Sequence, residues 1–339
     1  MTKPIRKIAL ASVAVVALAS AANAETHKYK FQSSDPAGNP NFELQQNWAK
    51  DLAERTDDQI QIEMMPVGSV VEHNETLDAT GAGIIDGIVT DISYFAGKDP
   101  AFSLLGNPVG AWSSTDQLLD FMNNGGGQQL ANDLFQPYGL HYVGSTTTGL
   151  ESLVSKVPLD GVADLKGLKM RAPEGLVQDV FAAAGAAPVN LPGSEVYTAL
   201  DKGVIDAADY TVFSTNQAQG LNDIAPNPVY PGFHSMPLVG VAMNKKEWDS
   251  LSPELQKAFE ESVKQFADKE VSDLAAADKK AVAKAEEGGK IHVHDWSAEE
   301  RAKFRRIAIT QWEKVAKKSD KAQHVYDVLT DYLKKNNLL

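Results

Sequence analysis

One arginine, Arg171, lies in the long stretch of this chain between Arg55 and Arg301. A guanidinium is a rigid and permanently charged group that binds a carboxylate or a sulfonate through two parallel hydrogen bonds. Before it, the apolar residues Leu168 and Met170 alternate with other residues, which predicts a short strand. Open α/β sheets place their ligands at the ends of strands. We therefore interpret Arg171 as the anchor of an anion-binding site, with an ordinary surface arginine as the alternative.

The chain is strongly acidic, with 45 Asp and Glu against 32 Lys and Arg and a net charge of -13. This balance disfavours nucleic acids and anionic membrane surfaces as partners. An anionic ligand needs a local cation in such a protein, which again indicates Arg171. The sequence contains no cysteine, so disulfides and cysteine-based metal sites are excluded.

The first residues have the three parts of a secretory signal peptide. These parts are the cations Lys3, Arg6 and Lys7, an apolar run over residues 8–19, and a small-residue site at residues 22–24. The apolar run is too short to span a bilayer comfortably, which favours export over a membrane anchor. We expect cleavage after Ala24, which removes three cations and changes the net charge from -13 to -16. With no cysteine to carry a lipid, the mature protein is predicted to be soluble in the periplasm.

Short β-rich runs alternate with amphipathic helical stretches, which is the pattern of an α/β fold. The predicted strands cover residues 29–33, 60–64, 88–91, 141–144, 168–171, 189–191, 207–210 and 239–243. Residues 42–55 are predicted to form a helix with its apolar residues on one face. Ser252 and Pro253 begin a much longer helix, which the glycine pair at 288–289 ends.

A weak internal repeat suggests two lobes of related topology. The sequence PVGS at 66–69 leads through a helical stretch to GIIDG at 83–87, and PGS at 192–194 leads in the same way to GVIDA at 203–207. Each copy predicts a turn, a helix and a strand. Chance similarity between common α/β connections is the alternative. Two lobes imply a cleft between them, where small ligands are usually buried.

Three longer motifs are similar to those of a known protein family. They are GLKMRAPE at 167–174, PGSEVYTALDKGVIDA at 192–207 and YPGFH at 230–234. They resemble the solute-binding proteins of TRAP (tripartite ATP-independent periplasmic) transporters, and the similarity extends from about Tyr29 to about Lys269. The last motif and the glycines at 125–127 resemble the branch whose members bind 2-oxo acids, lactate and similar small organic acids.

The resemblance implies a two-lobed periplasmic binding protein with a ligand cleft between the lobes and the long helix as a spine. It places lobe I in residues 25–145 with about 238–265, and lobe II in residues 146–237 with about 266–339. The implied function is to capture a small organic anion and deliver it to the membrane subunits of a TRAP-type transporter. A 2-oxo or 2-hydroxy acid, an aromatic carboxylate and a small sulfonate all suit one arginine. We expect a monomer that closes about a hinge.

In the same resemblance, Arg171 stands at the position of the arginine that binds the substrate carboxylate. Asp209 and Tyr210 stand where metal-dependent members of the oxo-acid branch carry a Glu-Trp pair. Those members take a side-chain amide metal ligand from the loop corresponding to residues 144–149, where this chain has hydroxyl groups and glycine. We therefore expect no cofactor and no substrate-bridging cation, although Asp209 keeps a carboxylate as a candidate ligand. Binding is then expected to survive chelation.

The remaining candidate ligand contacts are hydroxyl and ring side chains. Thr146 and Thr147 can donate hydrogen bonds to a ligand, with a turn-forming role as the alternative. Tyr94 resembles a ligand-facing position of the family and belongs to lobe I. Phe213 and Phe233 are candidate apolar walls, with packing in the core as the alternative. His234 either bonds near the ligand or fixes the turn in which it lies.

The sequence shows no nucleophile with an orienting base at a specific spacing, so we do not predict an enzyme. An exported hydrolase or lyase that uses Asp209 and His234 is the enzymatic alternative, which turnover of a small acid would reveal. A sensor subunit that presents the same ligand to a receptor is a third interpretation. Neighbouring genes for transporter subunits or for a sensor kinase would distinguish uptake from signalling.

Overall fold

The computed structural model describes residues 25–339 of the chain. The predicted signal peptide, residues 1–24, lies outside the described residues. Within the described part, no helix is both long enough and apolar enough to cross a membrane.

The strands of the described chain form two sheets. They are β1 (His27–Ser33), β2 (Ile60–Met65), β3 (Gly87–Asp91), β4 (Leu140–Thr146), β5 (Ser152–Ser155), β6 (Lys169–Arg171), β7 (Ala187–Val189), β8 (Ala207–Thr211) and β9 (Val239–Asn244). The first sheet has the order β2-β1-β3-β9-β4, with β1 parallel to β2 and β3 and with β9 antiparallel to β3 and β4. The second has the order β5-β8-β6-β7, with β6 parallel to β7 and β8 and with β5 antiparallel to β8. Parallel strands end at a common edge, so each sheet gathers the loops after its parallel strands at one edge.

Helices pack around the two sheets. They are α1 (Pro40–Arg55), α2 (Thr76–Gly81), α3 (Pro100–Gly106), α4 (Thr115–Asn124), α5 (Gly127–Phe135), α6 (Leu176–Ala183), α7 (Val196–Asp201), α8 (Phe213–Ala218), α9 (Leu221–Ile224), α10 (Lys245–Ser250), α11 (Pro253–Gly288), α12 (Ala298–Ala316) and α13 (Asp320–Lys335). This mixed architecture with two sheets confirms the predicted α/β fold class.

The longest helix, α11, begins and ends where the sequence predicts. The Ser252 side chain accepts a hydrogen bond from the Leu255 N–H, Pro253 occupies the first turn, and Gly289 ends the helix with a φ of 64°. The helix packs against β4 and α1 beside the first sheet and against α8 beside the second. It therefore connects the two halves of the molecule as a spine.

The first helix, α1, carries an apolar face that the first sheet buries. Phe42, Trp48 and Leu52 are buried in one cluster with side chains of β1, β2 and α11. Burial of one such side chain contributes about 1.5–3 kcal/mol of stability. At the start of the helix, the Asn39 side chain accepts a hydrogen bond from the Asn41 N–H at 2.8 Å. This packing and cap fix the two asparagines at the edge of the first sheet.

The weak sequence repeat corresponds to a repeated structural unit, as predicted. Each copy is a 3₁₀ turn, a six-residue helix and a strand: His73–Glu75, α2 and β3 in the first, and Gly193–Glu195, α7 and β8 in the second. In both copies the residue before the strand donates its backbone N–H to the neighbouring strand, from Asp86 in the first and from Asp206 in the second. Each half of the molecule is thus built around the same unit.

Two strand predictions need correction. The sequence predicts a strand over residues 189–191, but β7 lies two residues earlier because residues 187–189 pair with β6. The sequence also misses β5, which is only four residues long and is buried throughout, so it shows no alternation of apolar and polar residues.

The C-terminal helices contact both halves of the molecule. α12 packs against α6 and α3, and α13 packs against α3 and α5. The predicted lobe II, which includes residues 266–339, therefore shares this hairpin with helices of the predicted lobe I, and the lobe boundaries stay a prediction.

Candidate functional site

Residues at the carboxyl ends of strands from both sheets come together in one buried site. Asp91 ends β3 of the first sheet, and Tyr94 lies in the 3₁₀ turn that follows. Arg171 ends β6 of the second sheet, and Asp209 lies within β8 beside it. Tyr94 and Asp209 both lie close enough to Arg171 to influence its ionisation. The site therefore lies between the two sheets.

Arg171 is 2% exposed, and backbone groups fix its orientation. Its Nε donates to the Leu191 carbonyl at 3.0 Å, and its Nη1 donates to the Asp209 carbonyl at 2.6 Å. A guanidinium has more N–H groups than these two bonds use. The Tyr94 hydroxyl lies beside the remaining ones. The guanidinium is thus oriented before a ligand arrives and keeps donors for an anion.

A chain of buried polar side chains lies next to this arginine. The His234 Nε2 and Asp209 Oδ1 atoms are 2.9 Å apart, and Asp209 adjoins Glu151. Ser235 Oγ donates to Glu151, and Asn107 Nδ2 donates to Ser235 Oγ at 2.6 Å. All five residues are at most 6% exposed. One ligating atom each from Glu151, Asp209 and His234 lies within 4.8 Å of the other two, so these residues form one cluster.

The two carboxyl groups of the cluster have opposite pKa shifts. Burial, followed by the charge of Asp209, raises the pKa of Glu151 well above its usual value. Burial also opposes the ionisation of Asp209, but the hydrogen bond with His234 holds the pKa of Asp209 below its usual value. Two carboxylates this close do not both ionise readily. Glu151 is therefore the carboxyl group of the pair that holds a proton more readily, and Asp209 is the one that ionises more readily.

The first sheet presents a second group of polar side chains to Arg171. Asp91 Oδ1 accepts a hydrogen bond from the Ser93 N–H at 2.8 Å, and burial raises the pKa of Asp91 to about 7. His73 lies edge-on to Tyr94, with ring centroids 4.9 Å apart. Burial, followed by the positive charge of Arg171, lowers the pKa of His73. An anion beside Arg171 would reverse the second of these effects.

Neutral hydrogen bonds also join the two halves. The Asn41 amide donates to Thr211 Oγ1 at 3.3 Å and accepts from Thr215 Oγ1 at 3.1 Å. The Asn39 amide donates to the Tyr210 hydroxyl at 3.5 Å. Both asparagines lie at the start of α1, whereas their partners lie on β8 and α8. These bonds hold the halves together over the site.

Four of the side chains predicted to contact the ligand form hydrogen bonds or packing contacts with other parts of the protein. The Thr146 hydroxyl donates to a carboxyl group of α11. The Thr147 hydroxyl accepts from the backbone N–H two residues later at 3.2 Å, which is the turn-forming role. Phe213 is fully buried and packs edge-on against a tyrosine ring. Tyr210 bonds across the halves, and it is the one of the four on which the charge of Arg171 acts.

The candidate ligand contacts predicted from the sequence do not include three residues that lie at this site: His73, Asp91 and Glu151. Asp91 ends a correctly predicted strand, so its position at a strand end was a usable signal. Glu151 lies two residues beyond the loop at 144–149 and has the sequence context of a surface acid. His73 lies in a short turn without periodicity. Contacts between distant chain segments bury Glu151 and partly bury His73, and no local pattern reports such contacts.

Residues 31–319 match the model of a family described as bacterial extracellular solute-binding protein, family 7. A monocarboxylate 2-oxoacid-binding periplasmic protein of Nostoc sp. is 31% identical over 235 residues, which are 68% of this chain and 64% of that protein. The matched region thus covers slightly less than two thirds of the length of this relative.

Two solved structures also match. One is a TRAP periplasmic solute-binding protein of Rhodobacter sphaeroides in an apo open form, with 62% identity, 92% of this chain and 99% of that chain covered, and a TM-score of 0.77. The other is a TRAP transporter solute-binding protein of Bordetella bronchiseptica, a dimer of mixed occupancy with calcium and picolinate bound. It is 22% identical, the match covers 92% of this chain and 93% of that chain, and the TM-score is 0.84. The chain with the more similar sequence superposes less well. Such an inversion is expected when the halves of two related proteins differ in their relative orientation.

Proposed function

Because this chain belongs to the bacterial extracellular solute-binding proteins of family 7, the class that serves TRAP transporters, we propose that it binds a small monocarboxylate of the 2-oxo or 2-hydroxy acid type for uptake. The position of Arg171 carries this proposal. Its guanidinium is 2% exposed, two carbonyls orient it, and N–H groups remain for a carboxylate. The ligand class of the Nostoc relative supports the same choice.

Hinge closure is the mechanism that we propose. The ligand carboxylate docks on Arg171 in the second half, and the first half then closes over it with His73 and Tyr94. The proton that Glu151 shares with Asp209 keeps the buried carboxyl pair at a single negative charge beside the ligand. Closure follows only if the ligand binds the closed arrangement more tightly than the open one. The open form of the Rhodobacter relative, with its lower TM-score, supports such a hinge.

A bound cation, as in the Bordetella protein, is the alternative to a proton in the carboxyl cluster. The carboxyl oxygens of Glu151 and Asp209 are hard donors of the kind that sodium and calcium accept. These two residues would hold such an ion, which would neutralise charge beside the ligand. However, the raised pKa of Glu151 favours a proton there, and Arg171 balances the charge of Asp209. We therefore propose binding without a cation.

A ligand panel with thermal unfolding of the mature protein tests the proposed class. The panel contains pyruvate, lactate, 2-oxobutyrate, picolinate and malonate, with glucose and lysine as controls for neutral and cationic ligands. We expect one of the monocarboxylates to stabilise the fold by about 2.7 kcal/mol at 100 times its dissociation constant. Stabilisation by glucose or lysine alone would refute the anion assignment.

Two additions to this assay test the cation and the enzymatic alternative. Titrations in EDTA and in calcium should give similar affinities, because the proposed site needs no metal. A loss of affinity in EDTA that calcium restores would show that Glu151 and Asp209 hold a cation. Recovery of the bound acid unchanged after incubation would distinguish binding from catalysis.

A further inference from the structure

A second cavity lies where α12 and the last residues of the chain meet the loop after α3. Its volume is about 730 Å³, within the range of about 300–1,000 Å³ that is typical of small-molecule sites. The aromatic side chains of Trp112, Phe233 and Trp296 line it together with Arg301 and Arg305. We call this cavity the C-terminal pocket. Arg171, the anchor of the site between the sheets, is not among its lining residues.

Aromatic rings form the apolar wall of the C-terminal pocket. Phe233 and Trp296 stack with ring centroids 3.9 Å apart and an interplanar angle of 18°. Trp296 is held in place because its Nε1 donates to the Leu159 carbonyl at 2.9 Å. Trp296 is 2% exposed, so it serves as a support for Phe233, whose partly exposed ring suits the ring or the branched chain of a ligand.

The two arginines of the pocket differ in how many of their N–H groups have a hydrogen-bond partner. Arg301 donates to three backbone carbonyls and forms an ion pair with Asp295 at 2.7 Å. Arg305 donates to the Leu338 carbonyl, and its buried Nε has no partner among the described residues. Burial lowers the pKa of Arg305, as expected for a cation that lacks an anionic neighbour. Arg305 is therefore the group in this pocket that an anion would satisfy.

We propose that the C-terminal pocket is a second binding site, for a small amphipathic anion such as an aromatic or branched carboxylate or sulfonate. The acid group pairs with Arg305, and the apolar part lies on the ring of Phe233, which Trp296 supports. A cation without an anionic partner next to an apolar wall favours a ligand with both features over a simple inorganic anion, because the acid group pairs with the cation while the apolar part is removed from water.

The pocket is separate from the site between the sheets but lies close to it along the chain. Phe233 directly precedes His234, and Leu150, which also lines the pocket, directly precedes Glu151. The two sites thus lie on either side of the same two chain segments. An experiment must therefore tell them apart, and variants of Arg171 and Arg305 do so.

Anilinonaphthalene sulfonate is a suitable probe because it combines a sulfonate with an aromatic body and fluoresces in apolar surroundings. We expect saturable binding to the mature protein, with the same affinity in the Arg171→Ala variant. Arg305→Gln should weaken binding on the order of ten-fold. Arg306→Gln is the matched control, because it removes the neighbouring exposed charge of α12, and it should have no effect.

A second pair of variants covers the case in which Arg305→Gln disturbs the C-terminal residues. Ala302 is exposed, lines the pocket and lies three residues before Arg305 on α12, so the two share a helix face. Ala302→Glu should weaken probe binding by a similar factor, whereas Ala302→Gln should not. Unchanged affinity in both Arg305→Gln and Ala302→Glu, with normal circular dichroism, would overturn the proposal. Loss of binding in Arg171→Ala would also overturn it, since the probe would then lie between the sheets.

Discussion

Replacement of Arg171 separates the contribution of its charge from that of its orientation. Arg171→Ala removes the cation and both bonds to the carbonyls of Leu191 and Asp209. Truncation of one partner of a buried, hydrogen-bonded charge pair costs about 2–5 kcal/mol, on the order of 30- to several-thousand-fold in affinity. The residue is 2% exposed, so little water can take its place and the upper part of this range applies.

The same variant should also lower the stability of the protein. Each carbonyl that loses its buried donor costs about 1–3 kcal/mol. In addition, the ionised Asp209 would lose its nearest permanent cation. We therefore expect Arg171→Ala to fold with a lower melting temperature and to bind its acid very weakly. The melting temperature without ligand distinguishes this structural loss from the loss of binding.

Arg171→Lys completes the comparison. An ammonium keeps the charge, but it cannot bond to both carbonyls in the fixed geometry of a guanidinium while it also holds a ligand. We expect an affinity between those of the wild type and of Arg171→Ala. Lys169→Ala is the matched control, because Lys169 is an exposed cation two residues earlier on β6. Calorimetry with the acid identified by the panel measures all four proteins. Affinity close to wild type in a well-folded Arg171→Ala variant would refute the assignment of this arginine as the anchor.

Two further predictions concern α11 and α1. Burial raises the pKa of Glu270, which is 1% exposed, from its usual value of 4.5 to about 8. Between these two pH values the carboxyl group is protonated in the folded chain but not in the unfolded chain. The free energy of unfolding then falls with rising pH by about 1.4 kcal/mol per pH unit across this interval. In urea titrations, Glu270→Gln should leave the free energy of unfolding nearly unchanged at pH 5 and should raise it at pH 8. An equal effect at both pH values would contradict this prediction. Asn41→Ala removes the bonds to Thr211 and Thr215 across the halves, at about 0.5–1.5 kcal/mol each, so ligand affinity should fall on the order of ten-fold. Small-angle scattering should then show a more open molecule at equal ligand concentration, whereas Asn47→Ala, at an exposed position of the same helix, should match the wild type.

Local patterns were sufficient to predict much of the fold. The cap at Ser252 and the glycine after α11 predict the ends of that helix, since both act within one helical turn. The position of β7 could not be predicted, because its register is set by pairing with β6 and not by its own three residues. The strand β5 could not be predicted either, because a short strand that is buried throughout carries no periodic signal of its own.

Some residues of the candidate site could likewise be predicted from the sequence, and others could not. Arg171 could be predicted because it combines a rare residue type with a strand end. Glu151 could not, because its burial comes from Ser235 and from the cluster around Asp209, which lie 84 and 58 positions away along the chain. The sequence shows the same glutamate whether its carboxyl group lies on the surface or in a buried pair. What differs is its environment, which only the tertiary structure supplies.

The place of β9 has a consequence for the order in which the molecule folds. This strand lies between β3 and β4 in the first sheet, yet the whole second sheet separates it from them along the chain. Closing so long a loop costs more entropy than closing a local one, and pairing between distant segments slows folding. The second sheet, from β5 to β8, is contiguous and does not have to wait for β9. During synthesis the first sheet therefore remains incomplete until Val239–Asn244 has been made.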